Sequence, residues 1–453
     1  MTLFPLLPML PVLFSAMALA GKSPAPEASK KPKGTPIPAC EKATAKHFVT
    51  TDDGWIFNPQ DLATKHHGKP DILAELTKLS AAFKAAGVPV LIVLSPHRAT
   101  ARPDLVSMGD GVGGLYNRAA AVQSYQDLRA KLIKAGFLVP DLMPVVEAQA
   151  KGEGYFYARD HHWTQDSAKA VAAVVAAEAK KIPGIGEWPK ATVTLADSGQ
   201  VHTWPGSRGT AWQAVCSQTL PEHTVPLHTV TVTRAAADLL DGPPPPVVLV
   251  GTSNTHPRFD FAGQLVASMG VDVINAEEGA NGGPVASLHR LVTGETWVAS
   301  RPKLVVWEFN MAEFKPWRPD TPELATLPIY RQLNAAVDGG CDAGSAVASV
   351  DLTLGAATPL RLELPADKAV QGGGHYLFVE TSPKGLQGFD AVFAHAGGQT
   401  DSYTVVAYPR TPSSGRFFVQ LDGAPSPLTS VELKPPAGLS GPVSMRICKV
   451  KGG

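Results

Sequence analysis

Two short stretches hold the residue types that acyl transfer requires. In VVLVGTS, residues 247–253, a continuous apolar run of strand length ends on Ser253, directly after Gly251-Thr252. Ligands of open α/β sheets gather at the carboxyl ends of the strands, so a serine there stands where a nucleophile is useful. Its hydroxyl is a weak nucleophile until a base takes the proton. YARDHHWTQDS, residues 157–167, offers such a base. Asp160 precedes His162 by two residues, and on an extended or turning loop its carboxylate can accept the Nδ1 proton of that imidazole. Nε2 then faces outward to take the serine proton, and the carboxylate stabilises the imidazolium that forms. Thr164 can cap the helix that follows and hold the loop still. Asp160, His162 and Ser253 are therefore a candidate triad, and His161 between the first two receives no role.

The same residues support plainer readings. A serine after a strand is commonly a turn residue, and Asp-x-His is common loop chemistry. A His-His pair can ligate a metal, but no third ligand stands at helical or hairpin spacing, so no metal is expected. His66-His67, His97 and His256 read as exposed or structural. Trp163 suits either a core anchor or a platform for a sugar ring.

The elements that must position these groups alternate in type. DILAELTKLSAAFKAAG (71–87) carries apolar residues at helical spacing and ends on Gly87, and VPVLIVLS (88–95) is then a continuous apolar strand. NRAAAVQSYQDLRAKLIKAG (117–136) is again helical, FLVPDL (137–142) turns back towards strand, and TQDSAKAVAAVVAAEAKK (164–181) is a long alanine-rich helix. VVLVGTS, VDVINA (271–276) and KLVVWEF (303–309) are further buried strands. Apolar strands alternating with helices predict a mostly parallel sheet covered on both faces. After Cys341 the texture changes to eight short alternating runs, from SVDLTL to VSMRICK, separated by Gly, Pro, Asp and Ser. That pattern predicts a β-sandwich or barrel.

Length and composition bound what the chain can be. At 453 residues two domains are expected, and 40 Lys+Arg against 40 Asp+Glu leave no excess charge to draw nucleic acid or an anionic membrane. The N-terminal apolar run is short, broken by prolines and ends Ala18-Leu19-Ala20. It reads as a secretory signal over residues 1–20 cut after Ala20; an uncleaved anchor is the alternative, because no lysine or arginine precedes the run. Residues 21–39 lack bulky side chains and read as a flexible tether. Cys40, Cys216, Cys341 and Cys448 show no CxxC spacing, and in an exported chain they suggest two disulfides. Of three pairings, Cys40 with Cys216 and Cys341 with Cys448 is favoured because it keeps each bridge within one domain, 40–335 or 336–453.

Four stretches resemble the periplasmic alginate O-acetyltransferase family of the AlgX and AlgJ type: DDGWIF (52–57), ARDHHWT (158–164), VGTSNTHPRFDFAGQL (250–265), and NAEEGANGGP (275–284) with VVWEF (305–309). Order and spacing agree over roughly residues 45–320. The resemblance implies an SGNH-hydrolase-like domain followed, as in the AlgX type, by a carbohydrate-binding β-sandwich. It implies Ser253 as nucleophile, His162 as general base and Asp160 as its orienting partner. Oxyanion donors are implied around Asn281, Gly282 and Gly283, with the Ser253 N–H, and Arg258 and Trp163 become candidate substrate contacts. No cofactor is implied. The expected partners are a polysaccharide acceptor, a membrane-bound acetyl-delivering O-acyltransferase and other exopolysaccharide assembly proteins, around a monomer in the periplasm.

One departure bears on the acceptor. Where the family often continues Pro-Glu-Arg after Trp-Glu-Phe, this chain has Asn310-Met311-Ala312, and residues 341–453 hold nine Lys+Arg against nine Asp+Glu. No basic excess therefore marks a polyuronate. The expected activity is O-acetylation of an alginate-like polysaccharide through an acetyl-serine. An acetylesterase using water as acceptor, and a non-catalytic polysaccharide-binding scaffold, are the alternatives.

Overall fold

The computed structural model describes residues 37–38, 40, 48–102, 116–150, 154–234, 244–276, 283–314, 324, 327–355, 360–368, 370, 373–382, 386–406, 413–421 and 426–451. They fall within one compact unit, Gly34–Gly453. The expected signal, nearly all of the tether, Asn281 and Gly282 lie outside the described residues. Among the described residues no helix is long and apolar enough to cross a membrane.

The chain enters through a short antiparallel pair, β1 (Val49–Thr50) and β2 (Ile56–Phe57). Helix α1 (Pro70–Ala85) begins on a proline, whose fixed φ suits the first helical position, and buries Ile72, Leu76, Leu79 and Phe83 along one stripe. It ends at Gly87, whose φ of 74° reverses the chain. β3 (Val90–Ser95) follows, with all six residues buried. After α2 (Arg118–Lys134) the run FLVPDL yields only a parallel bridge from Leu138 to Leu91. Pro140 has no N–H to extend that pairing, so the expected strand stops there. Helices α3 (Met143–Gln149) and α4 (Gln165–Ala179) come next, and Thr164 caps α4 by accepting the Ser167 N–H at 3.2 Å.

The largest feature that the helix-and-strand alternation does not announce is an antiparallel hairpin. Its strands β4 (Ala191–Trp204) and β5 (His223–Arg234) are joined through α5 (Ser207–Cys216). β6 (Val247–Val250), α6 (Phe261–Met269), β7 (Val273–Asn275), α7 (Gly283–Thr293), α8 (Glu295–Ala299), β8 (Leu304–Asn310) and α9 (Leu327–Asp338) complete the α/β region. Its sheet has the order β3-β8-β6-β7, parallel throughout. The carboxyl ends of all four strands therefore share one edge.

Eight strands then form two four-stranded antiparallel sheets: β9 (Ala348–Leu354), β10 (Leu360–Glu363), β11 (His375–Thr381), β12 (Gly388–His395), β13 (Thr400–Val406), β14 (Arg416–Gln420), β15 (Leu428–Lys434) and β16 (Gly441–Lys449). One sheet runs β10-β15-β12-β13 and the other β14-β11-β16-β9. The run HYLFVE has a physical reason for being apolar on both faces. Leu377 and Val379 point into the sandwich core with Phe393, Val431 and Met445, whereas Tyr376 and Phe378 join the core of the α/β region. Arg416 fastens the same junction, donating to the carbonyls of Gly294 at 3.1 Å and Gly339 at 2.7 Å. Disulfides join Cys40 to Cys216 and Cys341 to Cys448, the favoured pairing. The first ties the entry segment to α5, and the second ties the chain after α9 to the last strand.

Candidate active site

Ser253 stands at the carboxyl edge of the parallel sheet, where β6 ends and a short 3-10 turn, Ser253–Thr255, begins. The residues on either side of it are gripped by one buried carboxylate in β8. Glu308 Oε2 accepts from the Thr252 N–H at 3.0 Å and from the Thr252 hydroxyl at 2.6 Å, while Oε1 accepts from Asn254 Nδ2 at 3.0 Å. Burial pushes the Glu308 carboxyl up, against the opposing effect of these hydrogen bonds. Gly251 allows this approach: a Cβ there would lie 2.8 Å from both the Cβ and the carbonyl oxygen of Glu308. The carboxylate thus sets the turn, and the turn aims the serine.

His162 Nε2 lies 2.7 Å from Ser253 Oγ. Its Nδ1 meets Asp160 Oδ1, which also accepts the His162 backbone N–H at 2.8 Å. Asp160 Oδ2 accepts from Ser207 N at 2.7 Å and from Trp204 Nε1 at 3.0 Å. A carboxylate surrounded by donors holds no proton of its own, so the ring proton sits on Nδ1 and Nε2 is left to accept from the serine. Burial alone would raise the Asp160 carboxyl, but the hydrogen bonds and charge of His162, with the charge of His161, hold it well below the usual carboxylate range. Asp160 and His162 are 1% and 5% exposed, so water does not compete for these contacts.

Several elements far apart in sequence hold this loop. Arg98, just beyond β3, donates to the carbonyls of Asp160 at 2.7 Å, Ile56 at 2.6 Å, Tyr157 at 2.6 Å and Ala158 at 2.5 Å. Its guanidinium lies 4.6 Å from the ring centre of Trp55 and 4.7 Å from that of Phe57, which gives the DDGWIF stretch its physical purpose. The turn between β4 and α5 carries Ser207 and needs glycine at 206, where φ is 79° and a side chain would collide with the Arg159 carbonyl. Phe259 stacks on the His162 ring, with 4.7 Å between ring centres.

A cavity of about 410 Å³ opens onto Ser253, lined also by His97, His161, Arg208, Gly283 and Asn310 among others. Gly283 thus reaches the site, whereas Asn281 and Gly282 lie outside the described residues. His161, a spacer by sequence, has a half-exposed side chain on this cavity and bonds Ser207 Oγ through Nδ1 at 2.6 Å. One expected substrate contact, Trp163, is corrected. Trp163 is 0% exposed, packed on Phe261, with its ring N–H given to the Asn254 carbonyl at 3.1 Å, so it is a core anchor. Arg258 is not among the described residues of the cavity wall; its guanidinium lies over Phe259 and Trp204 and meets His202 Nε2 at 3.1 Å. Among the described residues, Asp160, His161 and His162 are the one group able to converge on a metal. Both Asp160 oxygens and both His162 ring nitrogens are engaged within the protein, so this arrangement suits proton transfer better than ligation.

The brace on Ser253 makes a test possible. Asn254 Oδ1 accepts the Trp163 backbone N–H at 3.2 Å, so its amide cannot turn over and Nδ2 must face Glu308. Glu308→Gln would set an NH₂ against a donor on one side or the other. Leaving one buried donor unpaired costs about 1–3 kcal/mol. If half or more of that falls on the aim of Ser253, kcat for acetyl-ester turnover drops about twofold to a hundredfold. An unchanged kcat in the folded variant would show that the turn is held by other contacts.

Comparison with known proteins agrees with this architecture. A family model described as "SGNH hydrolase-like domain, acetyltransferase AlgX" matches residues 48–311. The "Alginate biosynthesis protein AlgX" of Pseudomonas syringae pv. tomato is 28% identical, with 96% of this chain and 93% of that protein covered. The "Probable alginate O-acetylase AlgJ" of Azotobacter vinelandii is 32% identical over 41% of this chain and half of its own length, 50%. The solved structure of Pseudomonas aeruginosa AlgX superposes with a TM-score of 0.73 at 24% identity, covering 89% of this chain and 94% of that one. That last similarity establishes a shared fold through both the α/β region and the sandwich.

Proposed function

Because the chain belongs to the AlgX family of SGNH hydrolase-like domains, we propose that it is an exported O-acetyltransferase that acetylates hydroxyls of an alginate-like polysaccharide through an acetyl-Ser253 intermediate. The observation that carries this reading is the continuous line of contacts from Asp160 Oδ1 through the His162 ring to Ser253 Oγ, with 2.7 Å at the serine end.

In the first half-reaction Ser253 Oγ attacks the acetyl carbonyl and its proton passes to His162 Nε2. Asp160 stabilises the imidazolium. The tetrahedral intermediate collapses with release of the donor's leaving group, which takes the proton back from Nε2. In the second, a sugar hydroxyl gives its proton to Nε2 and attacks the acetyl-serine, and Ser253 leaves as the alcohol after reprotonation. The backbone N–H groups of Ser253 and Gly283 are the oxyanion donors proposed among the described residues.

Transfer must outrun hydrolysis by water, and holding the acceptor against the acetyl-serine supplies effective molarities on the order of 10⁵ M or more. We assign that task to a glycan-binding sandwich over 336–453, and the chemistry to 40–335. The acetyl group is delivered by a membrane-bound O-acyltransferase. Two disulfides fit an oxidising compartment, and the periplasm is the proposed location.

The test is product analysis with p-nitrophenyl acetate as donor, with and without alginate oligosaccharides. O-acetylated oligosaccharide should form at the expense of free acetate. Acetate release that no acceptor alters would favour the esterase alternative.

A further inference from the structure

We propose that His97 binds the acceptor sugar hydroxyl in the cavity that opens onto Ser253. The inference rests on the transferase reading and adds to it a group that recognises the acceptor.

His97 follows β3 by two residues, at the same carboxyl edge of the sheet as Ser253, and its side chain lines the same cavity. It is 2% exposed, and neither ring nitrogen makes a full hydrogen bond to the protein, although the Lys65 backbone lies close to the ring. Buried polar groups are nearly always paired, and an unpaired one costs about 1–3 kcal/mol. Gln60 Oε1, on the same cavity, is buried and unpaired as well. Two orphaned polar groups in one cavity, beside the reacting serine, are what a missing ligand leaves behind.

Several other polar groups of the cavity are already engaged. The Arg98 guanidinium is held by four backbone carbonyls, and Arg208 forms a two-point pair with Asp61, at 2.7 and 2.8 Å. Asn310 Nδ2 donates to the Pro96 carbonyl at 2.7 Å, and its Oδ1 accepts the Ala312 N–H at 2.8 Å. Charge does not select the ligand here either, because Arg98 and Arg208 on the wall are balanced by Asp61 and Glu313.

The protonation state of His97 suits a hydroxyl. Burial, with the nearby His67 and His66, outweighs the pull of Asp61 and lowers the imidazole to about 4. At neutral pH the ring is therefore uncharged, with one N–H donor and one nitrogen acceptor. A sugar hydroxyl is both donor and acceptor, whereas a carboxylate can only accept.

The test uses the full chain with p-nitrophenyl acetate as donor and alginate oligosaccharides as acceptor, comparing wild type with His97→Phe and His97→Asn. Phenylalanine keeps a ring of similar shape and removes both nitrogens. Because the native ring makes no full hydrogen bond, the melting temperature of His97→Phe should hold or rise. The acceptor KM should rise about tenfold or more, the loss of one to two hydrogen bonds, while ester cleavage without acceptor falls far less than transfer. His97→Asn, which keeps a donor and an acceptor, should recover part of the acceptor affinity. An unchanged acceptor KM in His97→Phe would overturn the proposal, as would a His97→Asn no better than His97→Phe, or a parallel fall in cleavage and transfer, which marks a structural role. Wild type that makes no acetylated oligosaccharide would instead sink the transferase reading, and this inference with it.

Discussion

Ser253→Ala should reduce acetyl-ester turnover by about 10⁴-fold or more while leaving the fold intact. The expected size follows from the division of labour around the residue. Glu308 holds Thr252 and Asn254, and Trp163 holds Asn254, so the turn is braced without using the Ser253 hydroxyl. Removing Oγ deletes the atom that would carry the acetyl group and leaves its scaffold standing. The variant should melt within a few degrees of wild type and retain binding to alginate oligosaccharides, measured by calorimetry. Near-native turnover in Ser253→Ala would mean that the acetyl group travels by another residue.

Asp160→Asn should produce a loss of similar order, about 10⁴-fold in kcat, for a different reason. Asp160 accepts four hydrogen bonds and has no donor to offer, so an amide in its place must point an NH₂ at some of those donors. If the NH₂ turns to His162, the proton on Nδ1 is lost to Nε2, and the ring then faces Ser253 with a donor in place of an acceptor. If it turns outward, Ser207 N and Trp204 Nε1 lose their acceptor and the β4–α5 turn loosens. Stability adds a second signature. The folded-state carboxyl lies below its unfolded value, so its contribution is fully present above about pH 4 and is lost as pH falls through the folded value. The stability gap between wild type and Asp160→Asn should therefore stay constant down to about pH 5 and close only in stronger acid. A gap that closes near neutral pH, in denaturant melts across the range, would contradict the depressed carboxyl.

Much of the scaffold was legible because its signals are local. VPVLIVLS, VVLVGTS, VDVINA and KLVVWEF contain the four parallel strands, and each of the eight alternating runs after Cys341 supplies a strand of the sandwich. Thr164 was readable as a cap because a cap acts on an N–H three residues away. The candidate triad was readable for a similar reason: Asp160 and His162 are two residues apart, and a serine ending an apolar strand is a simple pattern.

The support of that site was much less legible, because it is assembled across the fold. Arg98 reaches four carbonyls around sixty or forty residues away, and nothing near it in sequence says so. Glu308 was visible only as part of Trp-Glu-Phe, and its role appears once β8 is placed beside β6. The β4–β5 hairpin did have a signal, the Thr/Val alternation of TVTL and TVTVTR, but most of its residues are exposed and it belongs to neither helix-covered sheet nor sandwich. Trp163 shows the converse limit. Its position beside the histidines suggested a ligand platform, and only packing reveals that its ring N–H ties the loop to Asn254. His97 passed as structural because an unpaired buried nitrogen cannot be seen in a string of letters.

The most direct measurement is to mix the protein with p-nitrophenyl acetate, quench early and sequence the acetylated peptides by mass spectrometry, before and after adding alginate oligosaccharides. An acetyl group should be found on Ser253, accumulate without acceptor, and disappear on addition of oligosaccharide as O-acetylated sugar forms. Turnover and acetylated sugar with no acetyl on Ser253, or with the adduct on another residue, would contradict the mechanism.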